Sequence, residues 1–278
     1  MVLEDEYLIK SNLERMLERA GAMISSLYHP RLEAAILDVR IERGPSSMQI
    51  ARELSRRGVR ATFFVNAYRL AGGSDAAERQ RALLVEEVER GHFVGNHTWD
   101  HARLSDLAPA AQEKEILDGE RGIARVLGER PWLFRPPYGR RTPESDRLLA
   151  ARGYTVVLWN VSSEDPFLRA PDKVLAHVLD EIRKQGGGIV LFHDTHPWTV
   201  AALPRFFDAL ADENCRRVAA GQLPLLLVTL DRFVRPRYGE PPSPEAIALR
   251  AEADREARRR IVAACAGTAS TEKRVSAP

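Results

Sequence analysis

The chain has 278 residues and a formal net charge of +2, and its composition is 44% hydrophobic and 29% charged. This length can bury a sizeable core, and a charge so near balance gives no argument for nucleic acid or an anionic membrane as a partner. No apolar run approaches the roughly 20 residues that span a bilayer, and residues 1–17 lack the apolar stretch of a signal peptide. We therefore expect a cytoplasmic protein without a membrane span. The two cysteines, Cys215 and Cys265, form no motif and predict no disulfide framework.

Residues 1–57 form the first segment of the chain. Apolar residues at helical spacing predict a helix over 11–21, and the run at 34–39 predicts a buried strand. The Gly-Pro-Ser-Ser turn at 44–47 then precedes a helix predicted over 48–57. This segment therefore offers one strand and one helix to the residues that follow.

Two stretches of the first segment, VLEDEYLI at 2–9 and AAILDVR at 34–40, resemble the receiver domain of bacterial response regulators. That resemblance implies magnesium on the early acidic residues and phosphate transfer to Asp38. No lysine between Lys10 and Lys114 can pair with a phosphate, and the segment is shorter than a complete receiver domain. The alternative is that the early acidic residues are solvated charges near the N-terminus.

From residue 58 to residue 236, short apolar strands alternate with helices. The predicted strands are 61–65, 93–95, 133–134, 155–158, 189–192 and 225–228, and the predicted helices are 76–90, 109–127, 144–152, 171–185 and 200–212. This alternation predicts parallel βα units, and such folds place their sites at the carboxyl ends of the strands.

Residues 237–278 form a C-terminal tail. A proline-rich linker at 240–244 precedes a charged helix predicted over 245–264, which has only a thin apolar stripe. We expect this helix to pack lightly or to be solvated, and we expect the last dozen residues to be disordered.

Two histidines, His97 and His101, stand four residues apart in the stretch HFVGNHTWDH at 92–101. This spacing can place both imidazoles on one side of a helical turn, and the pair lies in a predicted loop or first turn after a strand. Neutral imidazole is the commonest protein ligand for zinc-like metals. The alternative is a pair of polar surface residues, because the HxxxH pattern is loose.

Three more polar groups follow predicted strands: Arg135 in FRPPYG, Asp165 after LWNVSSE, and His193 with Asp194 in VLFHDTHP. A bound metal, an acid–base histidine, a carboxylate and an orienting arginine are the parts that metal-assisted hydrolysis needs. Each also has a plainer explanation. Arg135 could form a surface ion pair, His193 could be a core histidine, and Asp194 could cap the next helix.

Taken together, the motifs GNHTWDH, FRPPYG and IVLFHDTHP resemble, in the same order, those of the polysaccharide deacetylase family, also called the NodB-homology or carbohydrate esterase family 4 group. The resemblance runs from about Arg57 to Pro236. It implies an α/β fold of the distorted (β/α)7-barrel type. It also implies a divalent metal, zinc with cobalt or nickel as alternatives, and an acetylated polysaccharide or oligosaccharide as substrate.

The resemblance assigns roles to one half of the implied site by position. His97 and His101 would be metal ligands, and Arg135 would orient the catalytic base. Tyr138 would lend its backbone N–H to an oxyanion hole, which acts on the charge of the transition state.

The resemblance also assigns the other half of the site. Leu191 would line the pocket for the acetyl group, and His193 would be the general acid. Asp165 stands where the family has a carboxylate that supports this histidine.

The first family motif, TFDDGP, is altered in this chain. Asp38 can stand for the first aspartate, the base, and Val39 then replaces the aspartate that binds the metal. The other registration uses Glu42-Arg43-Gly44-Pro45 and places Arg43 at the metal position. One anionic ligand is lost in either registration, whereas three protein ligands are usual for a catalytic metal.

Three hypotheses follow, each with its own domain roles. The first is a metal-dependent deacetylase that removes N-acetyl, or alternatively O-acetyl, groups. Its residues 58–236 are the catalytic domain, and the receiver-like residues 1–57 supply the first βα unit. The second is a carbohydrate-binding pseudoenzyme that lacks the metal aspartate. The third is a signalling protein that is phosphorylated on Asp38.

Overall fold

The computed structural model describes residues 34–40, 45–230 and 243–275, and it describes side chains at 46–230 and 243–266. The predicted helix over 11–21 and the receiver-like stretch at 2–9 lie outside the described residues. The receiver resemblance therefore stays a prediction. Among the described helices, none is both long and apolar enough to cross a membrane.

The described strands form one parallel sheet whose order is β5-β4-β3-β2-β1-β7-β6, with β8 paired to β1. The strands are β1 (Ala34–Arg40), β2 (Thr62–Val65), β3 (Phe93–Asn96), β4 (Leu133–Phe134), β5 (Thr155–Val156), β6 (Val161–Ser162), β7 (Gly188–Leu191) and β8 (Leu226–Leu227). The predicted α/β class with a parallel sheet is confirmed, and the closed barrel stays a prediction. Strand β6 was not predicted, because Val161 is the one apolar residue in the run NVSSE at 160–164.

Helices lie between the strands at the predicted places, and one short helix, Asp165–Leu168, was not predicted. They are α1 (Pro45–Arg56), α2 (Asp75–Glu89), α3 (Pro109–Leu127), α4 (Pro143–Ala151), α5 (Asp165–Leu168), α6 (Pro171–Gln185), α7 (Pro197–Ala219) and α8 (Pro244–Val275). Proline opens α3, α4, α6 and α7, where its fixed φ suits the first turn. Gly128 and Gly186 end α3 and α6 in the left-handed conformation that closes a helix.

Strand β1 is an internal strand, because it pairs with β2 on one side and with β7 on the other. All four residues of β2 are buried. Phe63 and Val65 of β2 belong to the main core with Leu54 of α1, Val190 of β7 and Phe206 of α7. The domain boundaries proposed from sequence remain a prediction. The internal position of β1 nevertheless joins residues 34–40 to the sheet formed by the rest of the chain.

The prediction that the cysteines form no disulfide was wrong. Cys215 of α7 and Cys265 of α8 are bonded, with their Cα atoms 5.2 Å apart. The two residues are 50 positions apart in sequence, and only the packing of α8 on α7 brings them together.

Helix α8 packs lightly, which is one of the two alternatives expected, but it extends further than expected. The Arg258 guanidinium donates a 2.9 Å hydrogen bond to the carbonyl of Pro224, so α8 is docked rather than solvated. The helix runs to Val275, so the predicted disorder of the last dozen residues was wrong for 267–275.

Candidate active site

The loop after β3 carries the two histidines and is not helical. Thr98 and His101 have φ angles of 70° and 73°, in the left-handed region. Even so, the His97 and His101 rings lie with their centroids 4.8 Å apart. The Asn96 side chain accepts a hydrogen bond from the Thr98 N–H and donates one to the carbonyl of Ile116. The pair is therefore brought together by a braced loop, and not by a helical turn.

The buried His97 ring has a defined tautomer. Its Nδ1 lies 2.6 Å from the backbone oxygen of Arg135. A carbonyl oxygen can only accept, so Nδ1 carries the proton and Nε2 carries the lone pair. A histidine that donates from one nitrogen and ligates through the other is the usual arrangement at metal sites.

Arg135 is almost fully buried, which excludes the surface ion pair considered above. Its Nε donates to the carbonyl of Val157 at 3.1 Å and its Nη2 to that of Leu158 at 3.0 Å. The guanidinium carbon also lies 4.5 Å from the centroid of the Phe64 ring and 5.3 Å from that of Trp159. Burial lowers the pKa of Arg135 well below its usual range. The same burial strengthens the attraction of this cation for a nearby carboxylate.

Tyr138 adopts a left-handed backbone conformation, with φ 58° and ψ 14°, in the turn Pro137–Gly139. A non-glycine residue in this region is strained, and such residues concentrate at functional sites. Its side chain is 55% exposed, and its ring centroid is 4.7 Å from that of His101. The turn therefore lies directly beside the histidine loop.

His193 and Asp165 form a direct pair. His193 Nδ1 lies 2.7 Å from Asp165 Oδ1, and the His193 backbone N–H donates to Asp165 Oδ2 at 2.8 Å. Burial raises the pKa of Asp165, but hydrogen bonds from His193 and Thr199 outweigh it and lower the pKa overall. Asp165 is therefore a fully buried carboxylate that holds the His193 ring with Nδ1 as the donor.

Asp38 lies in the middle of the sheet. Its backbone is in register with Leu191 on one side and Thr62 on the other. Leu191 is buried at the end of β7, two positions before His193. The strand that carries Asp38 thus borders the strand that leads to the general-acid candidate.

The described donors fit a divalent metal in part. Among residues whose side chains are described, no group of three histidine, cysteine, aspartate or glutamate residues could hold a metal ion. His97 and His101 supply two imidazoles at close range. Catalytic sites use three protein ligands as a rule. A third ligand would come from a side chain outside the described residues, such as those of β1 or of residues 41–44.

Several contacts near the site were not predicted. The Thr199 hydroxyl donates to Asp165 at 2.6 Å, and the Trp198 indole donates to the Asp165 carbonyl at 2.7 Å. Asp194 accepts a hydrogen bond from the Ser47 hydroxyl, whereas α7 begins after His196. The suggestion that Asp194 caps that helix was therefore wrong. No local pattern signals these contacts, because the partners of Asp165 and Asp194 come from distant segments.

Comparison with known proteins agrees with the sequence motifs. Residues 41–157 match the family described as polysaccharide deacetylase. The chain is 31% identical over 210 residues to the peptidoglycan-N-acetylglucosamine deacetylase PgdA of Listeria monocytogenes, covering 72% of this chain and 42% of that protein. It is 34% identical over 145 residues to a chitooligosaccharide deacetylase of Bradyrhizobium, covering 52% of this chain and 62% of that protein.

The fold agrees as well. The structure of the peptidoglycan deacetylase PdaC from Bacillus subtilis superposes with a TM-score of 0.60 at 26% identity, covering 83% of this chain and 98% of that one. Both chains therefore share a parallel α/β architecture. This chain is therefore similar in sequence and in fold to proteins named as polysaccharide deacetylases, and it spans less than half the length of the Listeria relative.

Proposed function

We propose that this protein is a metal-dependent hydrolase that removes N-acetyl groups from an amino-sugar polysaccharide. The observation that carries the proposal is the pair of His193 with the buried Asp165 carboxylate, at the end of a strand that borders β1. The relatives that the chain matches are named as deacetylases of peptidoglycan or chitooligosaccharide. Acetylated polysaccharides of these kinds are accordingly the proposed substrates.

His193 acts as the general acid in this proposal. Because Nδ1 donates to Asp165, Nε2 is the nitrogen that carries and delivers a proton to the leaving amine. Thr199 and the His193 backbone N–H also donate to Asp165, so the carboxylate cannot rotate away from the ring without losing hydrogen bonds. Leu191, buried beside it, supplies an apolar wall for the acetyl methyl group.

His97 and His101 would hold the metal, proposed as zinc with cobalt or nickel as alternatives. A bound divalent metal supplies a Lewis acid and lowers the pKa of its water to about 7. Arg135 positions the base carboxylate through its buried charge. The Tyr138 backbone N–H, turned by its left-handed φ, is the proposed donor to the oxyanion.

The base has two candidates. Asp38 is the candidate from strand β1, whose backbone lies beside Leu191. The family match begins at residue 41, so it includes Glu42 and leaves Asp38 outside. This start supports the registration in which Glu42 is the base and Arg43 stands at the metal position. The Asp38 registration, by contrast, places Val39 there.

The test compares metal content and acetate release from acetylated chito-oligomers. Wild type is measured beside His193→Ala, Asp38→Asn, Glu42→Gln and Val39→Asp, with zinc or cobalt supplied. We expect about one metal per chain in wild type and a loss of about 10²–10⁴-fold in turnover for His193→Ala. The larger loss between Asp38→Asn and Glu42→Gln identifies the base. Equal inactivity of wild type and His193→Ala would end the hydrolase proposal.

The pseudoenzyme is the second candidate, because the described side chains contain only two of the three expected ligands. It is supported if wild type binds oligosaccharide without metal or turnover and both are restored by Arg43→Asp, or by Val39→Asp in the Asp38 registration. Phosphorylation of Asp38 remains a prediction from sequence, and labelling with a small phosphodonor tests it.

A further inference from the structure

A cleft of about 470 Å³ lies between the turn Ala67–Leu70, which follows β2, and the first turns of α2. We call it the β2–α2 cleft. It is lined by Tyr68, Arg69, Ala71, Ser74, Ala76, Ala77, Arg79 and Gln80. Two of these side chains are guanidinium groups, one is an aromatic ring and one is an amide, and the proposed mechanism uses none of them.

Two polar atoms of the β2–α2 cleft lack a hydrogen-bond partner among the described residues. The Ser74 hydroxyl does have one, the Ala77 N–H, and the Arg69 guanidinium carbon lies 4.8 Å from the centroid of the Tyr68 ring. Arg69 Nε and Gln80 Oε1 are buried atoms with no hydrogen-bond partner within the described residues. Neither Arg69 nor Arg79 forms an ion pair with a carboxylate in that part of the chain. The neighbouring Arg81 differs, because its Nη1 donates to the carbonyls of Leu70 and Gly72. A buried donor and a buried acceptor without partners are costly unless a ligand satisfies them.

The β2–α2 cleft is directly connected to the histidine loop. The Ala67 N–H donates to the Thr98 carbonyl at 3.3 Å, and the Tyr68 N–H donates to the Trp99 carbonyl at 3.0 Å. Thr98 and Trp99 lie between His97 and His101 in the chain. The turn that lines the cleft is therefore hydrogen-bonded directly to the loop that carries the proposed metal ligands.

We propose that the β2–α2 cleft binds a sugar unit that carries a carboxylate, on the acetylated polymer proposed above as substrate. A guanidinium matches a carboxylate through paired, charge-assisted hydrogen bonds, and Arg69 and Arg79 are available for this purpose. Tyr68 is 37% exposed, and its ring, over which the Arg69 guanidinium lies, can pack against the sugar. A neutral polymer of N-acetylglucosamine would leave both guanidinium groups without a counter-charge.

This inference rests on the proposed function for its polymer, so binding and turnover are measured separately. Titration calorimetry compares three ligands: a tetrasaccharide of alternating N-acetylglucosamine and N-acetylmuramic acid, its methyl ester, and neutral N-acetylglucosamine tetramer. Arg69→Gln, Arg79→Gln and the double variant are compared with Arg147→Gln. Arg147 lies on α4, its side chain is 73% exposed, and it lines no part of the cleft. Arg69→Lys tests whether charge alone suffices.

We expect wild type and Arg147→Gln to bind the carboxylated ligand about 10- to 100-fold more tightly than its ester. The double variant should lose this preference, and Arg69→Lys should retain part of it. Equal affinity of wild type for acid and ester would overturn the inference, as would an unchanged preference in the double variant. Carboxylate-dependent binding without acetate release leaves the cleft established and refutes the hydrolase. Acetate release that is changed neither by esterification of the ligand nor by the double substitution supports the hydrolase and refutes the inference about the cleft.

Discussion

Two buried carboxylates in this protein have pKa values shifted in opposite directions. Asp165 accepts hydrogen bonds from His193 and Thr199, and these lower its pKa although burial raises it. Glu87 on α2 is equally buried, but neither of its oxygens has a partner among the described residues. Burial therefore raises the pKa of Glu87 well above its usual range, and the charges of Asp194 and Glu86 add to the effect. Hydrogen bonding, and not burial alone, decides whether such a group is charged.

Glu87→Gln should make stability less dependent on pH. A raised pKa in the folded state means that the folded chain binds the proton more tightly. The contribution of Glu87 to the free energy of unfolding is then fully present below its unfolded-state pKa of about 4.5. It is lost as the pH rises through its folded-state pKa. Each unit of raised pKa costs about 1.4 kcal/mol once the group must ionise. We expect Glu87→Gln to raise the melting temperature more at pH 8 than at pH 5.

Thermal unfolding at both pH values provides the measurement. Glu89→Gln, at an exposed position on the same helix, is the matched control and should change neither curve appreciably. If Glu87→Gln and Glu89→Gln show the same pH dependence as wild type, Glu87 does not carry the buried proton that we infer.

At the scale of elements, helix α3 supports the histidine loop by close backbone contact. Gly119 of α3 is buried against that loop. A Cβ at this position would lie 2.3 Å from Asn96 Oδ1 and 2.9 Å from the carbonyl carbon of Thr98. Asn96 in turn orients the Thr98 N–H. A single glycine therefore permits the approach of α3 that gives the loop its shape.

Gly119→Ala should displace the histidine loop. Alanine favours a helix over glycine by about 1 kcal/mol, but a clash with backbone atoms costs about 1–3 kcal/mol, so the clash prevails. We expect lower stability in urea unfolding and weaker binding of cobalt, followed by its absorption spectrum. Gly73→Ala is the control, because a Cβ there meets nothing within 4 Å. Unchanged cobalt affinity in Gly119→Ala would mean that α3 does not shape the loop.

At the scale of the whole molecule, the C-terminal helix α8 is joined to the body covalently. The disulfide between Cys215 and Cys265 closes a loop with a sequence separation of 50, and the Arg258 hydrogen bond to Pro224 adds a second contact between α8 and the body. Structural disulfides persist in oxidising compartments and are rare in the cytoplasm. We therefore propose an oxidising compartment for this protein, in place of the cytoplasm expected from the sequence.

Removal of the disulfide should destabilise the protein by about 2–4 kcal/mol, because the unfolded chain gains the freedom that the crosslink withheld. The double variant Cys215→Ser with Cys265→Ser is compared with wild type by urea unfolding, with and without dithiothreitol. Reduced wild type should match the double variant, which should not respond to the reductant. A wild type that is insensitive to dithiothreitol would contradict the bond.

The sequence by itself determined the βα alternation, because apolar periods and capping residues act within a few neighbouring positions. It also determined the candidate residues His97, Arg135 and His193, because each lies in a short motif directly after a strand. Strand β6 was missed, because its two residues lie in a mostly polar run, NVSSE at 160–164. The barrel and the domain boundaries stay predictions.

Only the tertiary structure decided which distant groups meet. Asp165 and His193 are 28 positions apart, Asp194 and Ser47 are 147 apart, and the cysteines are 50 apart. Within the described residues, the Glu87 carboxylate and the Arg69 Nε have no hydrogen-bond partner, and this too depends on every neighbour in space. A local pattern carries no information about such neighbours, because burial and hydrogen bonding are properties of the packed chain as a whole.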